Sequence, residues 1–224
     1  TTTAYREFSD TKLYYKRFIL MKRIIALVLA AVSLFIFTSC SASLVNFKYE
    51  NGKLINKGQK LEYYPAPNNY EPVSVGEAFG YYKKTDLVLY EIQGLDPKEW
   101  LTQEYAGSAT TIFYSTSLTL PTLAELEHTK LYICGGDTLT YAVATVEDKD
   151  VIANLIDLFE NGEYEEWPLV NSIETFELKF YSEDKYPHIY YNLTYGEFEE
   201  GKFIYDRTTK RSVRIDDALI AYIG

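Results

Sequence analysis

The chain has 224 residues, of which 47% are hydrophobic and 24% charged, a composition that supplies a buried core and is unlike that of a disordered protein. Its 22 tyrosines and 12 phenylalanines favour a strand-rich fold, whereas two histidines and two cysteines leave little material for a zinc site. The net charge of −10 argues against a nucleic-acid partner, because such binding depends on neutralising phosphates. We expect no metal site and no cofactor.

An apolar run near the amino terminus has the features of a secretory signal peptide. Met21 and the basic pair Lys22-Arg23 precede fourteen uncharged residues, 24–37, and the segment ends in Thr38-Ser39-Cys40. The run falls within the roughly 7–15 residues typical of such signals and is shorter than the ~20 residues that span a bilayer. We therefore predict a signal peptide over 21–39 in preference to a transmembrane helix.

The residues around Cys40 resemble the lipobox of bacterial lipoproteins, except that Phe37 stands where leucine is usual. The resemblance implies that the thiol of Cys40 is alkylated with diacylglycerol and that the chain is cut just before it. Acyl chains would then hold the protein on the extracytoplasmic face of the cell membrane, which becomes a partner through the lipid. The alternative is an ordinary secretory signal followed by a chance cysteine.

Residues 1–20 precede a complete signal peptide and contain no methionine. We interpret them as an upstream, non-native extension that is not part of the mature product. The mature chain, 40–224, shows no repeat and no low-complexity linker, and we predict a single extracellular domain.

Turn residues between alternating segments predict hairpins, first at Asn51-Gly52 and again at Gly135-Gly136. The clearest helix begins after the cap residue Asp148 and ends at Asn161-Gly162. Its apolar residues recur at helical spacing, at Val151, Ile152, Leu155, Ile156, Leu158 and Phe159. One helix among hairpins predicts an α+β fold, mainly antiparallel sheet with one main helix at about 148–161 and short additional helices.

Aromatic residues on the polar side of predicted strands form a candidate binding surface. None of the motifs G-x-S-x-G, H-E-x-x-H, G-x-G-x-x-G and C-x-x-C occurs in the sequence, and we predict no catalytic residue. Tyr181 and Tyr190 lie on strand faces opposite the predicted core, and Trp167 lies in the preceding loop. Such rings can stack on sugars or anchor a protein partner. The alternative is that a second layer covers this face and makes the tyrosines part of the core.

Four basic residues near the carboxyl terminus form a second candidate site. They stand within a strongly acidic sequence and could contact an anionic polymer, or they could be the solvated end of a hairpin. The four are Arg207, Lys210, Arg211 and Arg214.

The lipobox followed by a body rich in Tyr, Lys and Glu resembles uncharacterised small lipoproteins of low-GC Gram-positive bacteria. Residues 203–210, with the sequence FIYDRTTK, are similar to the carboxyl-terminal hairpins of those proteins. The resemblance implies a location but no activity. We expect a non-catalytic, membrane-anchored binding or interaction domain with a protein or glycan ligand. The alternatives are a carboxylate-dependent cell-envelope hydrolase and a structural or folding-assistance lipoprotein.

Overall fold

The computed structural model describes residues 44–105, 108–136, 140–168 and 172–223. The predicted extension, the signal peptide and Cys40 lie outside the described residues. Within the described ranges, the helices are too short or too polar to cross a membrane.

The described residues form fourteen strands, two α-helices and two short 3-10 turns. The strands are β1 (Val45–Glu50), β2 (Lys53–Asn56), β3 (Leu61–Pro65), β4 (Tyr70–Pro72), β5 (Ala78–Tyr82), β6 (Leu87–Glu91), β7 (Trp100–Tyr105), β8 (Ser108–Ser115), β9 (Lys130–Gly135), β10 (Tyr141–Val146), β11 (Glu174–Tyr181), β12 (Ile189–Phe198), β13 (Gly201–Tyr205) and β14 (Ser212–Ile215). The helices are α1 (Lys149–Asn161) and α2 (Ile220–Ile223), and the 3-10 turns are Ala124–Leu126 and Asp217–Leu219.

The predicted α+β fold is wrong, because the molecule is mainly β. Seven strands close into a barrel in the order β1-β2-β3-β8-β7-β6-β5, and most of the others form a second sheet in the order β10-β9-β11-β12-β13-β14. The main helix does lie at Lys149–Asn161, with Asp148 as its cap. This helix covers part of one of the two hydrophobic cores and does not form a separate layer. A single long helix in the sequence therefore did not indicate an α+β fold class.

The barrel is closed by a parallel pairing between β1 and β5, while the other barrel pairs are antiparallel. At the closure Val45 lies opposite Gly80. A Cβ added to Gly80 would lie 2.6 Å from Phe47 Cε2 and 2.6 Å from the Val45 carbonyl oxygen, so the two strands can approach only at a glycine. Seven buried residues fill the barrel: Val45, Phe47, Leu54, Tyr63, Leu89, Leu101 and Phe113.

The predicted hairpin at Asn51-Gly52 is confirmed as the turn between β1 and β2. Both residues have positive φ, 52° and 77°, which is the backbone conformation that this pair of residues tolerates best. The hairpin therefore starts the barrel with a local contact that needs no distant partner.

The second sheet is built around β12, a strand of ten residues. On one side of β12, strand β11 pairs along almost the whole length of β12. The other side is shared end to end by two strands: β4 pairs with Ile189–Tyr191, and β13 pairs with Thr194–Phe198. The backbone N–H of Asn192 donates to the Asn69 carbonyl, 2.7 Å away, at the junction between them.

The larger hydrophobic core lies between the outside of the barrel, one face of the second sheet and α1. The barrel contributes Trp100 and Ile112, and α1 contributes Leu155. We call the sheet face that lines this core the inner face, defined by Leu131, Ile133, Leu178, Phe180, Leu193 and Ile204.

The histidine beside this core predicts that the protein loses stability in mild acid. The His128 ring centroid lies 5.4 Å from that of Phe180, and burial lowers the pKa of His128 to about 4 from an ordinary 6.5. Between these pH values His128 is protonated in the unfolded chain and neutral in the folded chain. The free energy of unfolding should therefore fall as the pH falls from 6.5 towards 4, by up to roughly 3 kcal/mol.

Urea unfolding of the His128→Phe variant across this pH range measures the effect. The variant is expected to lose less stability in acid than the unmodified protein, because it has no imidazole to protonate when unfolded. Leu126→Ala is the matched control, since Leu126 is buried in the same segment and does not titrate. It should lower stability equally at every pH, and an unchanged acid loss in His128→Phe would show the prediction to be wrong.

Candidate functional site

The second sheet has an outer face, opposite the inner face, that carries polar and aromatic side chains. Successive residues of a strand point to opposite faces, and residues paired across strands share a face. Lys179, for example, lies between Tyr132 of β9 and Asn192 of β12. We define the outer face by Glu71, Tyr132, Cys134, Glu177, Lys179, Tyr181, Tyr190, Asn192, Thr194, Gly196, Phe203 and Tyr205.

Two of the predicted binding residues, Tyr181 and Tyr190, are direct partners across β11 and β12. With Tyr132 they form a tyrosine cluster whose ring centroids lie 5.6, 5.9 and 6.2 Å apart. All three side chains are half-buried. Burial raises the pKa of Tyr190 to about 12, so its hydroxyl stays protonated and able to donate a hydrogen bond.

The third predicted residue, Trp167, reaches the outer face from the segment that follows α1. This segment runs along β14, where Tyr164 pairs with Val213 and the Glu165 N–H donates to the Ser212 carbonyl at 3.0 Å. The indole then lies over Gly196, where an added Cβ would come 2.5 Å from Trp167 Cη2. Trp167 therefore needs a glycine beneath it.

The structure places the three predicted residues on one face but does not bring them together. The Trp167 ring centroid lies 4.9 Å from that of Tyr205 and 5.0 Å from that of Phe198. Gly196, below it, is six residues from Tyr190 along β12, a distance of roughly 20 Å in a strand. The outer face thus has an aromatic group towards each end.

Between the two aromatic groups lies a row of charged side chains held by mutual ion pairs. The Lys179 ammonium is 2.6 Å from Glu71 Oε2 and 3.4 Å from Glu177 Oε2, and Asn192 Nδ2 donates to Glu71 Oε2 at 2.6 Å. Burial by itself would lower the pKa of Lys179, but the hydrogen bond to Glu71 and the negative charges of Glu71 and Glu177 together outweigh it, and the pKa is raised. Lys179 therefore remains a cation, with its charge balanced by its neighbours.

A cavity of about 210 Å³ opens beside this row. It lies at the point along β12 where the pairing with β4 stops and the pairing with β13 starts. The guanidinium of Arg207 is held at its edge, because Nε donates to Thr194 Oγ1 at 3.1 Å. The polar wall of the cavity includes Asn68, Asn69, Glu177, Asn192, Thr194, Arg207 and Thr208.

Two residues that line this cavity each have a side-chain oxygen that is closed off from solvent and lacks a hydrogen-bond partner. Asn69 is only 7% exposed, and its Nδ2 donates to Asp206 Oδ2 at 3.3 Å while its Oδ1 accepts nothing. Asn192 uses its Nδ2 on Glu71, and its Oδ1 is also buried and without a partner. Buried polar atoms are nearly always paired, so two such acceptors on neighbouring residues are unusual.

The Asp206 carboxylate fixes one side of the cavity. It is almost completely buried, and its Oδ1 accepts from the backbone N–H groups of Thr208 at 2.7 Å and Thr209 at 3.3 Å. Its other oxygen accepts from Asn69. The turn that carries Arg207 is therefore held in place by contacts within the protein.

The four basic residues predicted as a cluster have separate roles. Arg211 donates to the carbonyls of Phe159 at 2.8 Å and Gly162 at 2.9 Å, at the end of α1. Arg214 binds the Glu165 carboxylate at 3.0 Å. Lys210 lies over the Tyr205 ring, and Arg207 is at the cavity.

Sequence reasoning missed the cavity because its walls come from four separate segments, at residues 68–69, 177, 192–194 and 207–208. One local signal was available: Asn192 lies in the middle of a strand, where asparagine is depleted. Lys179, between the buried residues Leu178 and Phe180, was a similar signal, because a charged residue inside a sheet needs partners.

Comparison of the chain with known protein families, with curated proteins and with solved structures finds no match. The fold and the outer face together define a mainly β protein whose second sheet presents half-buried aromatic rings beside a polar cavity.

Proposed function

We propose that the chain is a non-catalytic binding domain that binds its ligand, a glycan or a protein, with the outer face of the second sheet. The observation that supports this most is the outer face itself. Aromatic side chains cluster towards both of its ends and a fixed row of ion pairs lies between them. Aromatic rings offer a large contact area at low entropic cost, which suits a binding surface.

The exposure of the two sheet faces differs in the way a binding surface requires. On the inner face Ile133, Leu178 and Phe180 are completely buried by the barrel and α1. On the outer face Tyr132, Tyr181 and Tyr190 are only half-buried, and their rings pair with one another. Half-exposed rings on a sheet face are available to a partner in a way that core rings are not.

The alternative of a carboxylate-dependent hydrolase has less support. Such an enzyme needs two carboxyl groups facing each other at roughly 5–10 Å across a cleft. On the described wall of the cavity Glu177 is the single carboxylate. Its neighbour Glu71 is engaged by Lys179 and Asn192. This arrangement favours binding over hydrolysis.

The same proposal places the domain on the extracytoplasmic face of the cell membrane, held by a lipid on Cys40. The support is the lipobox resemblance of the sequence before the described residues. Strand β1 begins at Val45, five positions after Cys40 in the sequence, so a lipid on Cys40 would be joined to the domain by a short linker. A short tether restricts the ligands to those that reach the cell envelope.

Replacing Tyr181 and Tyr190 together by alanine tests the proposed binding surface. We expect binding of the purified, detergent-solubilised protein to insoluble cell-wall polysaccharide, or to envelope proteins, to fall at least tenfold. Because the rings are half-exposed, the free energy of unfolding should fall by no more than about 1–2 kcal/mol. Cosedimentation and thermal unfolding of the same samples give both quantities.

Tyr64 and Tyr114 provide a matched control pair on the barrel. They too are partners across adjacent strands, with ring centroids 6.0 Å apart. Their double alanine variant should bind as the unmodified protein does. Equal binding by the Tyr181/Tyr190 variant, or a loss of stability of several kcal/mol, would show that the tyrosine cluster is packing and not a binding surface.

A further inference from the structure

We propose that the barrel docks on the surface of a membrane rich in anionic phospholipid through a basic and aromatic patch beside the end of β1. We call it the barrel patch and define it by Lys48, Tyr49, Tyr82, Lys83 and Lys84, which all line one open hollow of about 470 Å³. The inference adds a second interaction surface to the proposed function and rests on that function for placing the domain at a membrane.

The parallel pairing that closes the barrel also assembles this patch. Phe47 of β1 lies opposite Tyr82 of β5, and the two strands run in the same direction. The residues that follow each of them, Lys48 on β1 and Lys83-Lys84 in the turn after β5, therefore meet at the same end of the barrel. All three lysine side chains are exposed.

The three lysines of the patch are not neutralised by carboxylates of the described residues. None of the ion pairs within the described ranges includes them. Glu50 also lines the hollow, but its Oε2 lies 3.8 Å from the Lys57 ammonium, and Asp86 ends the turn that carries two of the lysines. The cations of this region thus outnumber its acids, which favours an anionic partner.

The distribution of charge along the chain favours the same partner. Residues 44–115 contain seven lysines and nine acidic residues, whereas residues 116–224 contain nine basic and 21 acidic residues. At physiological salt, charges act over only about 8 Å, so a membrane responds to the surface nearest to it. An anionic membrane would attract the barrel patch and repel the acidic second half of the chain, and docking would therefore orient the domain.

The aromatic residues of the patch suit a membrane surface in particular. Tyr49 is 46% exposed although it is a large ring, and its centroid lies 6.3 Å from that of Tyr82. Tyrosine is enriched where lipid meets water, because its ring is apolar and its hydroxyl is polar, and lysine can keep its charge among the headgroups.

The position of the patch in the sequence favours a membrane over a soluble polyanion. Tyr49 follows Cys40 by nine residues, so a lipid on Cys40 and the barrel patch would act on the same surface. Stable attachment takes two signals, such as an acyl anchor and a basic patch. The patch alone should give a weak, reversible attachment that does not survive cell fractionation.

Cosedimentation with lipid vesicles tests the inference. The full chain carrying Cys40→Ser is used, so that no acyl chain contributes to binding. We expect it to bind vesicles of equal parts phosphatidylglycerol and phosphatidylcholine at least tenfold more tightly than vesicles of phosphatidylcholine alone, and added salt should weaken this binding. Equal binding to both vesicles, or binding to neither, would overturn the proposal.

Replacing the three lysines of the patch by glutamine locates the binding. One lysine near an anionic surface strengthens binding about fivefold, so the triple variant should lose at least tenfold. The matched control replaces three other exposed lysines by glutamine and changes the net charge equally: Lys60, Lys98 and Lys149. The control should bind as before. Equal losses in both variants would show that net charge governs binding and that the patch is wrong; thermal unfolding verifies that both fold.

Tyr49→Ala separates the aromatic contribution from the charge. It should weaken vesicle binding severalfold and leave the salt dependence unchanged, because the ring carries no charge. Unchanged binding would contradict the role given to the tyrosine.

Two further measurements distinguish the possible failures. Binding of soluble polyphosphate without binding of the anionic vesicles would overturn the membrane in favour of an anionic polymer. If the anionic vesicles are not bound but the Tyr181/Tyr190 variant still loses its polysaccharide or protein ligand, the barrel patch is wrong and the proposed function stands. If vesicles are bound and the Tyr181/Tyr190 variant loses nothing, the barrel patch stands and the proposed binding surface is wrong.

Discussion

Replacing Cys40 by serine is expected to release the protein from membranes into the soluble fraction. A serine hydroxyl cannot take the diacylglycerol that the lipobox resemblance assigns to the thiol, and anchoring depends on about 0.8 kcal/mol for each buried CH₂ of the acyl chains. Fractionation of the producing cells and the intact mass of the mature protein measure the change. We expect nearly all of the protein to move.

The second cysteine of the chain gives the control for this experiment. Cys134 lies on the outer face, is buried and free, and has its pKa raised by burial. Cys134→Ala should leave the protein in the membrane fraction. Continued membrane attachment of the Cys40→Ser protein would count against the lipid anchor and leave the proposed binding surface untouched.

Truncating Leu155 to alanine is expected to lower the free energy of unfolding by about 2–5 kcal/mol. Leu155 is completely buried in the middle of α1, where it packs in the core between the barrel and the second sheet. The substitution removes apolar burial and leaves a cavity that the surrounding strands can fill only in part. Urea unfolding followed by circular dichroism measures the loss.

The neighbouring residue Asn154 provides the matched control on the exposed side of the same helix. Asn154→Ala should change stability by no more than about 0.5 kcal/mol. A loss below about 0.5 kcal/mol in Leu155→Ala as well would mean that α1 does not stabilise the core.

The elements that the sequence predicted well are those set by neighbouring residues. Helix α1 was found with its ends because its apolar spacing and its cap lie within one segment, and the Asp148 carboxylate does accept from the N–H groups of Asp150 and Val151. The turn at Asn51-Gly52 was found for the same reason.

The barrel was missed because its closure is a pairing between distant segments. The alternation in Val45–Glu50 shows only that one side of β1 is buried, and nothing in it indicates a parallel partner at Ala78–Tyr82. Several of the strands have only three to five residues, which is too short for a reliable period.

For the candidate site, alternation placed Tyr181 and Tyr190 on the correct face, since each alternates with a core residue of its strand. The cavity could not be predicted, because Asn69 and Asp206 meet across 137 residues of chain. Contacts of this kind follow from the pairing of whole strands.

Strand β4 has a consequence for how the chain reaches its final form. By position it belongs between barrel strands β3 and β5, yet it pairs with β12, more than a hundred residues later. The chain therefore leaves the barrel, enters the second sheet and returns. The seven barrel strands pair with one another within Val45–Ser115, but β4 cannot form its ladder until β12 has been synthesised. Such a distant pairing requires the entropy of loop closure first, so it forms slowly and leaves β4 open to pairing with other chains until β12 is in place.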